Sequence, residues 1–197
     1  MTKNIIIVLI AFGLLLFISI VNPIIANATN EYLLNILLEK GNNLLAEGKN
    51  QEAIEYYDKV LSIDPNHSDA LLNKAFALHH LGSDKEAIEY YDKVLSIDSN
   101  DVYAINNKAF VLANNSKYEE ALSFITEQLV FNTNNDLLLG TMAFILYNLD
   151  KYDDAKKYYA KALEVNPNTT KIFNEKELIA YNRLMNSNAS NYDGNTR

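Results

Sequence analysis

The chain has 197 residues, 49% hydrophobic and 21% charged, the balance of a folded protein rather than a disordered one. A net charge of −8 without any run of Lys or Arg offers nothing to neutralise a phosphate backbone, which argues against nucleic acid as a partner. The absence of cysteine removes disulfides, thiolate chemistry and Cys-based zinc sites.

The N-terminus differs in kind from the rest. Lys3 precedes an apolar run, Ile5–Val21, broken only by Gly13 and Ser19; Asn22-Pro23 then stops any helix, and Ala26-Asn27-Ala28 follows. A basic start, an apolar stretch and small residues form the pattern of a secretory signal cleaved after Ala28. At 17 residues the run is also long enough to remain as a membrane anchor. Either way Lys3 is expected to stay inside and the remaining chain outside, so the expected location is extracytoplasmic, secreted or membrane-anchored. Residues 1–28 are therefore set apart from a folded domain over 29–185.

Within that domain EAIEYYDKVLSID occurs at Glu52–Asp64 and again at Glu86–Asp98, an offset of 34 residues. The offset holds in both directions: Ala53, Ala87, Ala121 and Ala155 follow one another at this step without insertion or deletion. Upstream of each lies a second helical stretch, LLEKGNNLLAEG, LLNKAFALHHLG, INNKAFVLANNS and LGTMAFILYNLD. Each unit thus reads as two helices joined by a short turn, with boundaries at about 34–67, 68–101, 102–135 and 136–169. Small residues (Gly41, Ala75, Ala109, Ala143) let the helices approach, and Tyr57, Tyr91, Ile125 and Tyr159 fill the space between them. Ser83-x-x-Glu86 and Ser116-x-x-Glu119 read as capping boxes at the starts of second helices. Pro65 and Pro167 fall between units, while Ser99 and Thr133 stand at the same step; Gln128 makes the third unit the most divergent.

Lys171–Met185 continues as one amphipathic segment and reads as a polar-backed cap; residues 186–197 have the composition of a disordered tail.

The pattern resembles the tetratricopeptide repeat, a helix–turn–helix unit with the same period. The resemblance implies an all-α fold, a right-handed α-solenoid of antiparallel helix pairs behind an N-terminal apolar helix. It also implies that first helices line a concave groove for a partner's peptide or helix. The groove positions carried over are Asn42, Asn73, Phe76, Asn106, Asn107, Phe110, Asn114, Phe144 and Tyr147, with Glu39, His79, His80, Thr141 and Asn148 beside them. Aromatic rings would anchor the ligand, and carboxamides would bond its backbone. The alternative is that the phenylalanines only pack against the neighbouring first helix. A carboxylate clamp of the kind some such domains use lacks its basic residues here, although Lys74 and Lys108 stand one position away.

Other constellations are weaker. His79-His80 are adjacent on a helix and diverge by about 100 degrees, so they share a metal ion poorly. Of each pair Tyr56-Tyr57 and Tyr90-Tyr91, one ring should be core and the other should lie along the stack. Asn66-His67-Ser68, Asn114-Asn115-Ser116 and Asn188-Ala189-Ser190 match the glycosylation triplet. With no nucleophile triad, phosphate loop or metal-ligand cluster, neither catalysis nor a cofactor is expected. The expected function is a non-catalytic scaffold that binds another protein, or else a structural component that assembles through its outer faces, as a homo-oligomer or in a surface complex.

Overall fold

A computed structural model describes residues 30–168. The apolar segment Ile5–Val21, the capping segment 171–185 and the tail 186–197 lie outside these residues. Among the described residues no helix is long and apolar enough to cross a membrane.

All regular structure among the described residues is α-helical. Eight helices occur: α1 (30–46), α2 (Asn50–Ile63), α3 (Ser68–His80), α4 (Asp84–Ile97), α5 (Val102–Asn114), α6 (Tyr118–Leu129), α7 (Asp136–Asn148) and α8 (Tyr152–Val165). They form four helix pairs, and the sequence period is kept in space. The second helices start at Asn50, Asp84, Tyr118 and Tyr152, and the first helices α3, α5 and α7 at Ser68, Val102 and Asp136. One exception is informative: α6 ends at Leu129, two residues earlier in register than Ile63, Ile97 and Val165.

The turns between paired helices explain the uniform phase. Gly48 and Gly82 have φ of 74° and 79°, and at the same step Ser116 and Asp150 have φ of 60° and 58°. Each turn therefore needs one residue in the left-handed region, where a Cβ is strained and glycine is not. Ser116→Gly is expected to raise stability by about 0.5–1 kcal/mol, measured by thermal or urea unfolding. Asp150→Gly should gain less, because the Asp150 carboxylate accepts a hydrogen bond from the Tyr152 hydroxyl. Unchanged or lowered stability of Ser116→Gly would refute the strain.

This turn also overturns the capping boxes. Ser83 does precede α4, but its side chain makes no cap bond; Ser116 lies in the turn, and Lys117 precedes α6. The residues before all four second helices share φ of −83° to −90° and ψ of 53° to 63°. A cap side chain reaches the first-turn N–H groups from an extended backbone. That conformation occurs before two first helices instead. Asp101 (ψ 104°) accepts from the Ala104 N–H at 2.8 Å, and Asn135 (ψ 114°) from the Leu138 N–H at 3.0 Å. His67 stands at the same step before α3, and its Nδ1 is buried without a partner among the described residues.

The chain divides into two compact units, with the boundary between Asn73 and Lys74. In the first, Ala53, Tyr57, Val60 and Ala70 form a buried cluster against Leu34, Leu37, Leu38 and Leu44. In the second, the core includes the fully buried Ile105, Leu112, Ile125, Leu138, Leu139 and Ile145. The alanines chosen by the period, Ala53, Ala87, Ala121 and Ala155, are fully buried. Helix α7 is buried all round, from Leu138 to Leu146 without a break. The tyrosine pairs divide as expected: Tyr57 and Tyr91 are fully buried, and Tyr56 and Tyr90 lie half-exposed.

Candidate partner-binding face

First helices carry the candidate residues, and the structure sorts them into two sets. In the first unit, Asn42 Oδ1 accepts from the Tyr57 hydroxyl at 3.0 Å and from Asn73 Nδ2 at 2.9 Å. Burial pushes the Tyr57 hydroxyl up to a pKa of about 12.

The second unit holds a continuous line of rings. Phe76 meets His80 edge-on with centroids 4.4 Å apart. His80 lies 5.8 Å from His79, and His79 stands edge-on to Phe110 at 6.2 Å. Phe110 is 5.7 Å from Phe144. Aromatic pairs at such separations stabilise beyond their buried area. Exposure falls along the line: Phe76 is 37% exposed, Phe110 half-buried, and Phe144 only 8% exposed. Phe144 is thus largely packing, and Phe76 and Phe110 are the rings a ligand can touch. Tyr147, next along α7, turns its ring to Tyr152 at 5.5 Å. Asn114 closes α5 and is half-buried.

His79 is held in place. Its Nδ1 lies 2.6 Å from Asp84 Oδ1, and Asp84 Oδ2 accepts from Asn115 Nδ2 at 2.7 Å. His80 is pushed below the ordinary histidine pKa, first by burial and then by repulsion from His79. Among the described residues no three potential ligands cluster to hold a metal ion.

The carboxamides do less than their count suggests. Thr141, itself buried, donates to Asn106 Oδ1, and Asn106 Nδ2 donates to Asn107 Oδ1 at 3.2 Å. In the first unit Asn42 Oδ1 is engaged as well, so in each unit candidate carboxamide oxygens are used within the protein. What these side chains retain for a ligand is chiefly donation, suited to backbone carbonyls or carboxylates.

A second repeated arrangement went unread in the sequence. Lys40 and Lys59 lie 5.4 and 4.2 Å from the centre of the Tyr56 ring, and Lys74 and Lys93 lie 4.4 and 4.0 Å from that of Tyr90. Lys108 lies 4.6 Å from the Phe124 centre and pairs with Asp92 at 2.5 Å. Lys74 is only 9% exposed and donates to the Tyr90 hydroxyl at 2.8 Å. Such cation–π contacts strengthen when desolvated. Lys74 and Lys108 therefore bind their own repeats, which argues against a shifted carboxylate clamp. The signal was present as Lys40, Lys74 and Lys108, each followed 16 residues later by Tyr56, Tyr90 or Phe124.

Comparison with known proteins places this geometry in a family. A tetratricopeptide-repeat model matches residues 44–109, and the model "Psidin, N-terminal TPR repeats region" matches residues 81–190. The chain belongs to the tetratricopeptide-repeat family, and its fold is of the all-α solenoid class. Similar solved structures include MamA (41-end) from Desulfovibrio magneticus RS-1, 18% identical, with a TM-score of 0.60 over 80% of this chain and 96% of that one. PilF of Pseudomonas aeruginosa is 22% identical, with a TM-score of 0.69 over 82% of this chain and 72% of that one. YrrB, described as a tetratricopeptide protein with an unusual peptide-binding site, is 19% identical, with a TM-score of 0.55 over 76% of this chain and 84% of that one. At these identities the likeness is one of fold. No curated protein matches the sequence.

Proposed function

We propose that the chain is a non-catalytic protein–protein interaction scaffold that takes an extended or helical segment of a partner on its first helices, around Phe76 and Phe110. One observation carries this reading. The line Phe76–His80–His79–Phe110–Phe144 presents an exposed ring at one end and a buried support at the other. A ring that only packed would be covered like Phe144. Within the second unit, the amide donors of Asn106 and Asn107 add polar recognition to that of the rings.

Phe76→Ala with Phe110→Ala is expected to weaken partner capture more than tenfold while far-ultraviolet circular dichroism stays unchanged. Capture at wild-type strength by the folded double variant would eliminate the reading and leave assembly through other faces, including self-association, as the function.

The same proposal places the repeats outside the cytoplasm, either secreted or tethered by Ile5–Val21, on the strength of Lys3, the apolar run and Ala26-Asn27-Ala28. N-terminal sequencing of the mature chain separates the two forms: a start at Thr29 means cleavage, and an intact N-terminus in the membrane fraction means anchoring. An intact chain in the cytosol contradicts both.

A further inference from the structure

The fourth repeat breaks a pattern kept by the other three. Lys40 lies over Tyr56, Lys74 over Tyr90 and Lys108 over Phe124, but at the same step the fourth repeat has Met142 and Tyr158. Where the lysine is missing, Met142 and Tyr158 line an open cavity of about 300 Å³ together with Leu129 and Leu139.

The edge of this cavity is unusually apolar. Helix α6 stops at Leu129, and in the turn that follows Val130, which lines the cavity, and its chain neighbour Phe131 stand 67% and 77% exposed. Phe131 is the most exposed large apolar side chain among the described residues. Besides Tyr158, the side chains of the lining that carry polar groups are Thr126, Thr133 and Lys161. The Thr126 hydroxyl donates to the Leu122 carbonyl at 2.6 Å, which leaves its oxygen to accept. Lys161 pairs with no carboxylate among the described residues and is the one charged group of the lining.

The geometry points to this cavity as a second docking site, for an extended segment of another protein that inserts one aliphatic or aromatic side chain beside Met142 and sets an Asp or Glu against Lys161. Charge decides the occupant. A partner cation over Tyr158 would imitate the other repeats, but Lys108 has Asp92 as counter-ion, and Thr126 stands at that step here. A cation would meet Lys161 uncompensated, whereas an anion would neutralise it. The volume suits one large side chain, at the small end of the range for binding pockets. None of these residues belongs to the ring line, so this site stands or falls independently of it.

The test selects nonapeptides from a random display library on the full-length chain and measures the selected synthetic peptides by fluorescence anisotropy. Peptides carrying an apolar residue within a few positions of Asp or Glu should emerge. Their binding should weaken roughly tenfold or more in Phe131→Ser and in Lys161→Glu, two surface changes that leave helicity intact. Met142→Lys, which restores the lysine, should also weaken it, while Phe110→Ala should leave it unchanged. An empty selection, or peptides that bind the Phe131→Ser/Lys161→Glu double variant at wild-type strength, would overturn the proposal. So would peptides that bind only a chain ending at Asn168, which would make the chain's own C-terminal segment the occupant.

Discussion

Tyr91→Ala is expected to lower the unfolding free energy by about 3–5 kcal/mol, the cost of an unfilled aromatic site in a packed interior. Tyr91 is fully buried on α4, which also buries Ala87 and Val94. Tyr91→Phe should behave differently, with no loss or a slight gain. The Tyr91 hydroxyl is buried and makes no well-formed hydrogen bond among the described residues, so removing it breaks none. Asn107 is the polar side chain facing it and only partly offsets the upward push of burial on its pKa. At the same step of the first repeat, Tyr57→Phe should cost about 0.5–1.5 kcal/mol, because the Tyr57 hydroxyl donates to Asn42. Chemical unfolding of the three variants checks the contrast; equal costs for the two Phe substitutions would contradict it. The same tyrosines set an alkaline limit. Both have folded pKa values above the unfolded value near 10, so their contribution is intact below pH 10 and is lost as pH rises through the folded values. Absorbance titration at 295 nm should show Tyr57 ionising near pH 12, and stability should fall above pH 10.

The second large effect runs against the repeat pattern. Gly41 stands where later repeats have Ala75, Ala109 and Ala143, and alanine is the better helix former by about 1 kcal/mol. Alignment alone would therefore call Gly41→Ala stabilising. A Cβ at position 41, however, would sit 2.7 Å from Cε1 and 3.1 Å from Cδ1 of the buried Tyr57 ring. That ring is also tied by its hydroxyl to Asn42, one residue away, and so has little freedom to retreat. Overpacking of about 1–3 kcal/mol outweighs the helix propensity, and the first unit should melt earlier. Thermal unfolding decides the sign, and a higher melting temperature for Gly41→Ala would contradict the packing described.

These two cases show how far the sequence could be read. A period of 34 residues located both helices of each pair, the buried alanines and the core tyrosines, because each repeat solves the same packing problem with the same residue types. The site was legible only in outline. Phe76 and Phe144 look equivalent in sequence, yet one is 37% and the other 8% exposed. That difference arises from the all-round burial of α7, which depends on what packs against it. The asparagines looked like ligand contacts, but the oxygens of Asn42, Asn106 and Asn107 were already engaged by Tyr57, Thr141 and neighbouring asparagines. The serine caps failed because Ser83 has ψ of 53° rather than an extended backbone and Ser116 lies in the left-handed turn, backbone facts that the Ser-x-x-Glu pattern does not carry. The early end of α6 likewise puts Val130 and Phe131 in a turn, although the register places helix there.

The central claim is that a partner contacts the ring line of the first helices. Photo-crosslinking tests it directly: a benzoylphenylalanine is placed at position 76, and, in a control chain, at the exposed second-helix position Glu89. Both chains are expressed and irradiated in the native cell. The account predicts one partner joined to position 76, lost when Phe110→Ala is added, and no such product from position 89. Equal yields from positions 76 and 89, or a product at 76 that persists with Phe110→Ala, would contradict it.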